Sequence, residues 1–143
     1  MRAQTHIFAM TVGEALANLD TVTSTMFVFG TSALVLFDSR SSRSSISIAF
    51  ALHADRELTL LKNKLIVTTP LGEQILRNTI FKDCEILVEG VILMANWIPL
   101  EIHDFDVTLG IDWLSTHRAL MDYFTKKVVF QKPGYPELKF EGD

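Results

Sequence analysis

The sequence predicts an all-β domain, a barrel or a sandwich, on three observations. Its apolar residues fall in short runs of strand length rather than in long helical stripes. The runs are rich in β-branched and aromatic residues and are parted by turn residues such as Gly30, Pro70-Leu71-Gly72 and Glu89-Gly90. Little of the chain carries a helical spacing.

Taken in order, residues 1–20 stand apart. Val12, Leu16 and Leu19 are spaced roughly as one helical face, so this segment reads as a leader or linker, or as a short helix, ahead of a domain over 21–143. From Val22 two apolar runs are split at Gly30-Thr31-Ser32, the pattern of a hairpin. The second, Ala33 to Phe37, is continuously apolar and predicts a strand buried on both faces. It stops at Asp38, and the serine-crowded stretch from Ser39 to Ser47 reads as a polar loop. A short helix is compatible with the segment from Ile48 to Leu58. Leu65–Thr69 and Gln74–Ile80 form a hairpin with its tip at Pro70 to Glu73. Cys84–Val88 and Val91–Trp97 form another, turning at Glu89-Gly90. Phe105–Leu109 is an apolar strand ended by Gly110, and Asp112 to His117 suits one or two helical turns. Leu120–Tyr123 pairs with Val128–Gln131 across Thr125-Lys126-Lys127. The tail holds two of the four prolines and reads as a linker with one strand-like piece, Leu138 to Phe140.

At 143 residues the chain has the length of one ordinary domain, and with 48% apolar and 21% charged residues it can bury a core. The net charge of −4 argues against nucleic acid as a partner. The two arginines of the serine stretch make a weak electrostatic footprint, with no aromatic residue between them for base stacking. No apolar run has the length of a membrane-spanning helix, so no membrane partner is expected. The first ten residues carry one Arg and no long apolar stretch, so a secretory signal is not expected either. The single cysteine, Cys84, excludes an intrachain disulfide and a cysteine-based zinc site. A reducing compartment is the default, hence an intracellular location, cytoplasmic or nuclear. None of His6, His53, His103 and His117 has metal-ligand spacing, so neither a metal nor a cofactor is expected.

Two features could carry chemistry. In Leu34-Val35-Leu36-Phe37-Asp38-Ser39 a buried strand delivers a carboxylate at its end. An unpaired carboxylate is costly to bury, so it must be exposed, hydrogen-bonded or functional. Alone, it reads first as an aspartate capping a turn at a strand end. In the segment from Phe105 to Leu114 an apolar strand meets a Gly turn and a helix start with Asp112 near its N-terminus, which alone is an ordinary strand-to-helix junction.

Together they resemble the retropepsin-like aspartic protease domain of plant gypsy-type LTR retrotransposon polyproteins. That family shows an apolar strand, then Phe-Asp-Ser-Gly-Ala and Ser-Phe-Ile-Ser, and later Phe-Asp-Val-Ile-Leu-Gly-Met-Asp-Trp-Leu. Here the matching stretches are Leu36–Ser47 and Phe105–Asp122. Thr68–Glu73, the Cys84 hairpin and the tail from Val128 are similar too, so the resemblance runs from about Thr21 to the end. It implies a small closed acid-protease barrel with one short helix, working as a homodimer on an extended peptide or polyprotein. Each subunit then gives one catalytic aspartate, here Asp38. Two close carboxyls share one proton, one serving as base towards water and the other as acid towards the scissile carbonyl. Ser39, Arg40 and Ser41 complete the active-site loop, with Ser39 supporting it across the two-fold axis. Thr69, Pro70, Leu71 and Gly72 form the flap, and Leu109 and Gly110 pack under the loop.

The sequence departs from the family beside the carboxylate. Arg40 stands where the family has Gly, which adds bulk and a permanent charge and works against a shared proton. Ser41, Arg43 and Ser45 replace the usual Ala, His and Phe. Two readings follow: an aspartic endopeptidase with weakened activity, or a catalytically inactive pseudoprotease that serves as a dimerisation or peptide-binding module. An Arg40 side chain directed at the carboxylate favours the second. A further expectation places Arg43 and Asp112 at the junction of loop and helix as a partly buried ion pair that anchors the loop.

Overall fold

A computed structural model describes residues 21–68, 73–131, 133–134 and 137–142. The segment 1–20, read above as leader or short helix, and the flap tip at 69–72 lie outside them. The described residues form ten strands and two short helices. The strands are β1 (Thr21–Val28), β2 (Thr31–Asp38), β3 (Ser45–Ser47), β4 (Thr59–Thr68), β5 (Gln74–Val88), β6 (Val91–Leu100), β7 (Val107–Leu109), β8 (Ala119–Asp122), β9 (Lys127–Phe130) and β10 (Leu138–Glu141). The helices are α1 (Ile48–Ala51) and α2 (Ile111–Thr116), in the two segments where the residues suggested them, while the resemblance implied only one.

Seven strands form a sheet in the order β1-β2-β7-β3-β6-β5-β4, and an additional pairing joins β1 to β5. The last three form a separate antiparallel sheet, β10-β9-β8. Two hairpin turns have both central residues at positive φ, Phe29-Gly30 and Glu89-Gly90, and this twist suits two-residue hairpins. The first turn lies one residue earlier than the sequence indicated. Phe29, a bulky residue in a left-handed conformation, is held there by its ring. It meets Trp97 edge-on at 5.9 Å and Phe81 at 6.3 Å, with the Arg56 guanidinium 5.5 Å from the ring centre.

β2 is the inner strand that its unbroken apolar run predicts. Val35 and Phe37 belong to the main core with Trp97, Ile46, Ile86 and Val107. On its other face Leu36, with Leu34 beside it, packs into a second cluster with Val67, Ile98 and Phe105. β2 pairs with β1 antiparallel and with β7 parallel, so Asp38 ends a strand clamped on both sides.

Three expectations of element extent are corrected. Ser45–Ser47 is a buried strand between β6 and β7, not loop. β4 begins at Thr59, with an irregularity between Leu60 and Leu65. The two runs Gln74–Ile80 and Cys84–Val88 are one 15-residue strand. They look separate because register slips between Phe81 and Cys84. There Asp83 turns to a φ of 53°, and its N–H donates to Asn96 Oδ1 at 2.8 Å.

Candidate active site

Asp38 lies at the C-terminal end of β2, 4% exposed. The parallel register Phe37↔Leu109 brings it level with the Gly110 turn at the end of β7. The chain then reverses, with the Ser41 N–H donating to the Asp38 carbonyl at 3.1 Å.

The loop from Ser39 to Ser44 rests on the start of α2. Ile111 N–H donates to the Ser41 carbonyl at 2.8 Å. Ser44 joins three groups: its N–H and its hydroxyl donate to the Asp112 carboxylate at 3.1 and 2.7 Å, and its oxygen accepts from Gly110 N–H at 3.0 Å. Gly110 is required by space rather than by φ. A Cβ there would lie 2.6 Å from the Ser41 carbonyl oxygen and 2.8 Å from that of Arg43.

The expected Arg43–Asp112 ion pair does not form. Arg43 is exposed, and the Asp112 carboxylate is taken up by Ser44 and by Trp113 N–H at 2.7 Å. Short donors already within the junction satisfy the carboxylate without ordering a long side chain. Arg43 and Asp112 do line a common cavity of about 440 Å³ with Met94, Asn96, Trp113 and His117. The position was therefore legible in the sequence and the contact was not.

Arg40 turns back on Asp38. Its backbone N–H donates to Oδ1 at 2.9 Å, its Nε to the same oxygen at 3.2 Å, and its Nη2 to Oδ2 at 3.4 Å. Both carboxylate oxygens are thus occupied by one residue. The Arg40 side chain remains 41% exposed and that of Asp38 6%, so the cation covers the carboxylate from the solvent side. Ser39, expected to reach across a two-fold axis, has an intrachain partner: its hydroxyl hydrogen-bonds the Tyr123 hydroxyl. Lys126 Nζ donates to the carbonyl of Thr21, which faces Asp38 across the β1–β2 pair.

Sequence reasoning missed Ser44, Tyr123 and Asp106. Asp106 accepts from Leu34 N–H at 2.8 Å through its carboxylate, and its backbone N–H donates to the Leu34 carbonyl at 2.9 Å, which seats β7 beside β2. Its place in the later motif was the available signal. Ser44 was hidden among serines. Among the described residues no cluster of His, Cys, Asp or Glu could hold a metal, and no helix is long and apolar enough to cross a membrane.

A family model described as retroviral aspartyl protease matches residues 2–134. The crystal structure of the retroviral protease-like domain of Ddi1 from Leishmania major is similar in fold, with a TM-score of 0.58 at 14% identity, covering 82% of this chain and 92% of that one. No curated protein matches. A carboxylate at the end of an inner strand, level with a Gly turn that opens a helix, thus recurs in a chain that belongs to the retroviral aspartyl protease family.

Proposed function

We propose that this chain is a retropepsin-type aspartic protease domain, derived from a plant gypsy-type LTR retrotransposon polyprotein. In this reading residues 21–143 form the domain behind a leader at 1–20. The domain pairs as a homodimer around Asp38 and binds extended peptide segments, but its cleavage is suppressed by Arg40. The carrying observation is the guanidinium on both oxygens of Asp38. An aspartic dyad needs those oxygens to hold a water and to share a proton with the mate's carboxyl. A guanidinium supplies no transferable proton and occupies the same acceptor sites. The module is then a pseudoprotease in its resting form. The β1–β5 pairing supports a closed barrel. The β4–β5 hairpin, paired up to Thr68↔Gln74, supports a flap at Thr69, Pro70, Leu71 and Gly72. The Ser44–Gly110–Asp112 knot supports Leu109 and Gly110 as the floor of the loop.

A second reading, an endopeptidase in which Arg40 swings aside, is favoured by the looseness of the pair. Its side-chain bonds of 3.2 and 3.4 Å exceed the roughly 2.7–2.9 Å of a strong charge-assisted bond. A peptide-cleavage assay from acidic to neutral pH separates the two. Suppression predicts little turnover by the wild-type dimer and a gain on the order of 10²-fold for Arg40→Gly, abolished by adding Asp38→Ala. Wild-type turnover equal to that of Arg40→Gly would sink the suppression and leave the endopeptidase.

A further inference from the structure

We propose that Arg40 is the specificity-determining residue of the peptide site and receives an acidic side chain, Asp or Glu, of the bound peptide. The inference rests on the reading of this loop as a peptide-binding site, which it deepens by naming the class of peptide.

The group that meets an incoming chain at this loop is a cation. Asp38 is covered, and the Arg40 guanidinium stands over it with its side chain 41% exposed. A guanidinium carries five N–H donors in a planar fork that matches carboxylates. Here Nε and Nη2 are used on Asp38, and Nη1 makes no hydrogen bond among the described residues. An added carboxylate can therefore bridge at the free edge or displace the long Nη2 bond. Asp38 is the internal competitor for the guanidinium, and the stretch from Ser39 to Ser44 holds two arginines and no further acidic residue. The carboxylate of Asp112, at the junction on which the loop rests, is taken up by Ser44 and Trp113 N–H. The chain as a whole is acidic, at −4, so its long-range field does not draw anions. A preference for acidic peptides has to come from this local cation.

Displacement also links binding to chemistry. A peptide carboxylate that takes the guanidinium leaves Oδ2 of Asp38 open to water, while Oδ1 keeps its bond from the Arg40 backbone N–H. Acidic peptides are then both the preferred ligands and the ones that lift the suppression.

The test uses the full chain, immobilised, and decapeptide pools with randomised flanks and Glu, Gln or Lys fixed at a central position; mass spectrometry reads the retained peptides. Circular dichroism checks that each variant is folded. Wild-type protein is expected to retain Glu-centred peptides about threefold over Gln-centred ones, the scale of a half-exposed ion pair, and to discriminate against Lys. The preference should disappear in Arg40→Gln, persist in part in Arg40→Lys and increase in Asp38→Asn, where the internal competitor is gone. Equal retention of Glu and Gln pools by wild type and Asp38→Asn overturns the inference while peptide binding stands. A Glu preference that survives Arg40→Gln overturns it by assigning the preference to another cation. Retention of no pool by the folded protein overturns both the inference and the peptide-binding reading beneath it.

Discussion

Two side chains in the loop carry very different weights, and the one expected to matter, Arg43, is the lighter. Ser44 satisfies Gly110 N–H and both oxygens of Asp112 from a buried position. Ser44→Ala leaves those groups short of partners and should cost about 1–3 kcal/mol in urea unfolding. Arg43→Ala should stay within about 0.5 kcal/mol of wild type, as exposed substitutions do. Gly110→Ala forces a methyl group against two backbone carbonyls, which cannot rotate away, and should cost roughly 3 kcal/mol in the same measurement. Cys84 is buried, and its desolvation pushes the thiol up to about 11. It should resist a disulfide reagent at neutral pH in the native protein and react fully in urea. Fast native labelling would contradict this burial.

At the scale of elements, legibility followed chemistry. The hairpin at Glu89-Gly90 was readable because its turn needs a residue such as Gly90 at positive φ. β5 was read as two strands because Lys82 and Asp83 interrupt its apolar pattern, and only the paired strand reveals a bulge rather than a break. β3 was unreadable because serines look solvated. It is buried through partners remote in sequence: Ser45 and Ile46 pair with β7, and Ser47 accepts from Phe50 N–H at 3.3 Å to cap α1. The β8–β9 turn makes a pH-dependent contribution. The Thr125 hydroxyl, then the backbone amides of Thr125 and Phe124, hold the Asp122 carboxyl below its ordinary value of 3.8. A carboxyl depressed on folding stabilises the folded state above its unfolded value, and that contribution is lost as pH falls through the folded one. Thermal melting should show Asp122→Ala less stable than wild type near neutrality, with the gap narrowing as pH falls below that ordinary value. A gap independent of pH would assign the effect to something other than the charge.

For the molecule as a whole, the fold was legible because two local motifs and a strand rhythm agreed. The site was only half legible because its decisive contact, Arg40 on Asp38, depends on a rotamer that no spacing encodes. The dimer reading has a direct check. Arg40→Cys puts a thiol beside Asp38, while buried Cys84 stays silent. A homodimer with its axis at this loop should cross-link under mild oxidation and sediment as a dimer at micromolar concentration. A monomer, or a dimer that does not cross-link, would place the contact elsewhere.

The Arg40–Asp38 pair spans only two residues of one loop, so its formation is unimolecular and indifferent to dilution. On the dimer reading its rival, a second Asp38, arrives only with a second chain and is governed by mass action. A tether this short corresponds to a local concentration in the millimolar range or higher, far above that of a scarce protein. On that reading dilution separates the two chains and leaves the tethered partner in place, so Arg40 covers Asp38 in the single chain and in the pair alike. The cover over the carboxylate is thus written into each single chain, and the number of copies in a compartment does not set it.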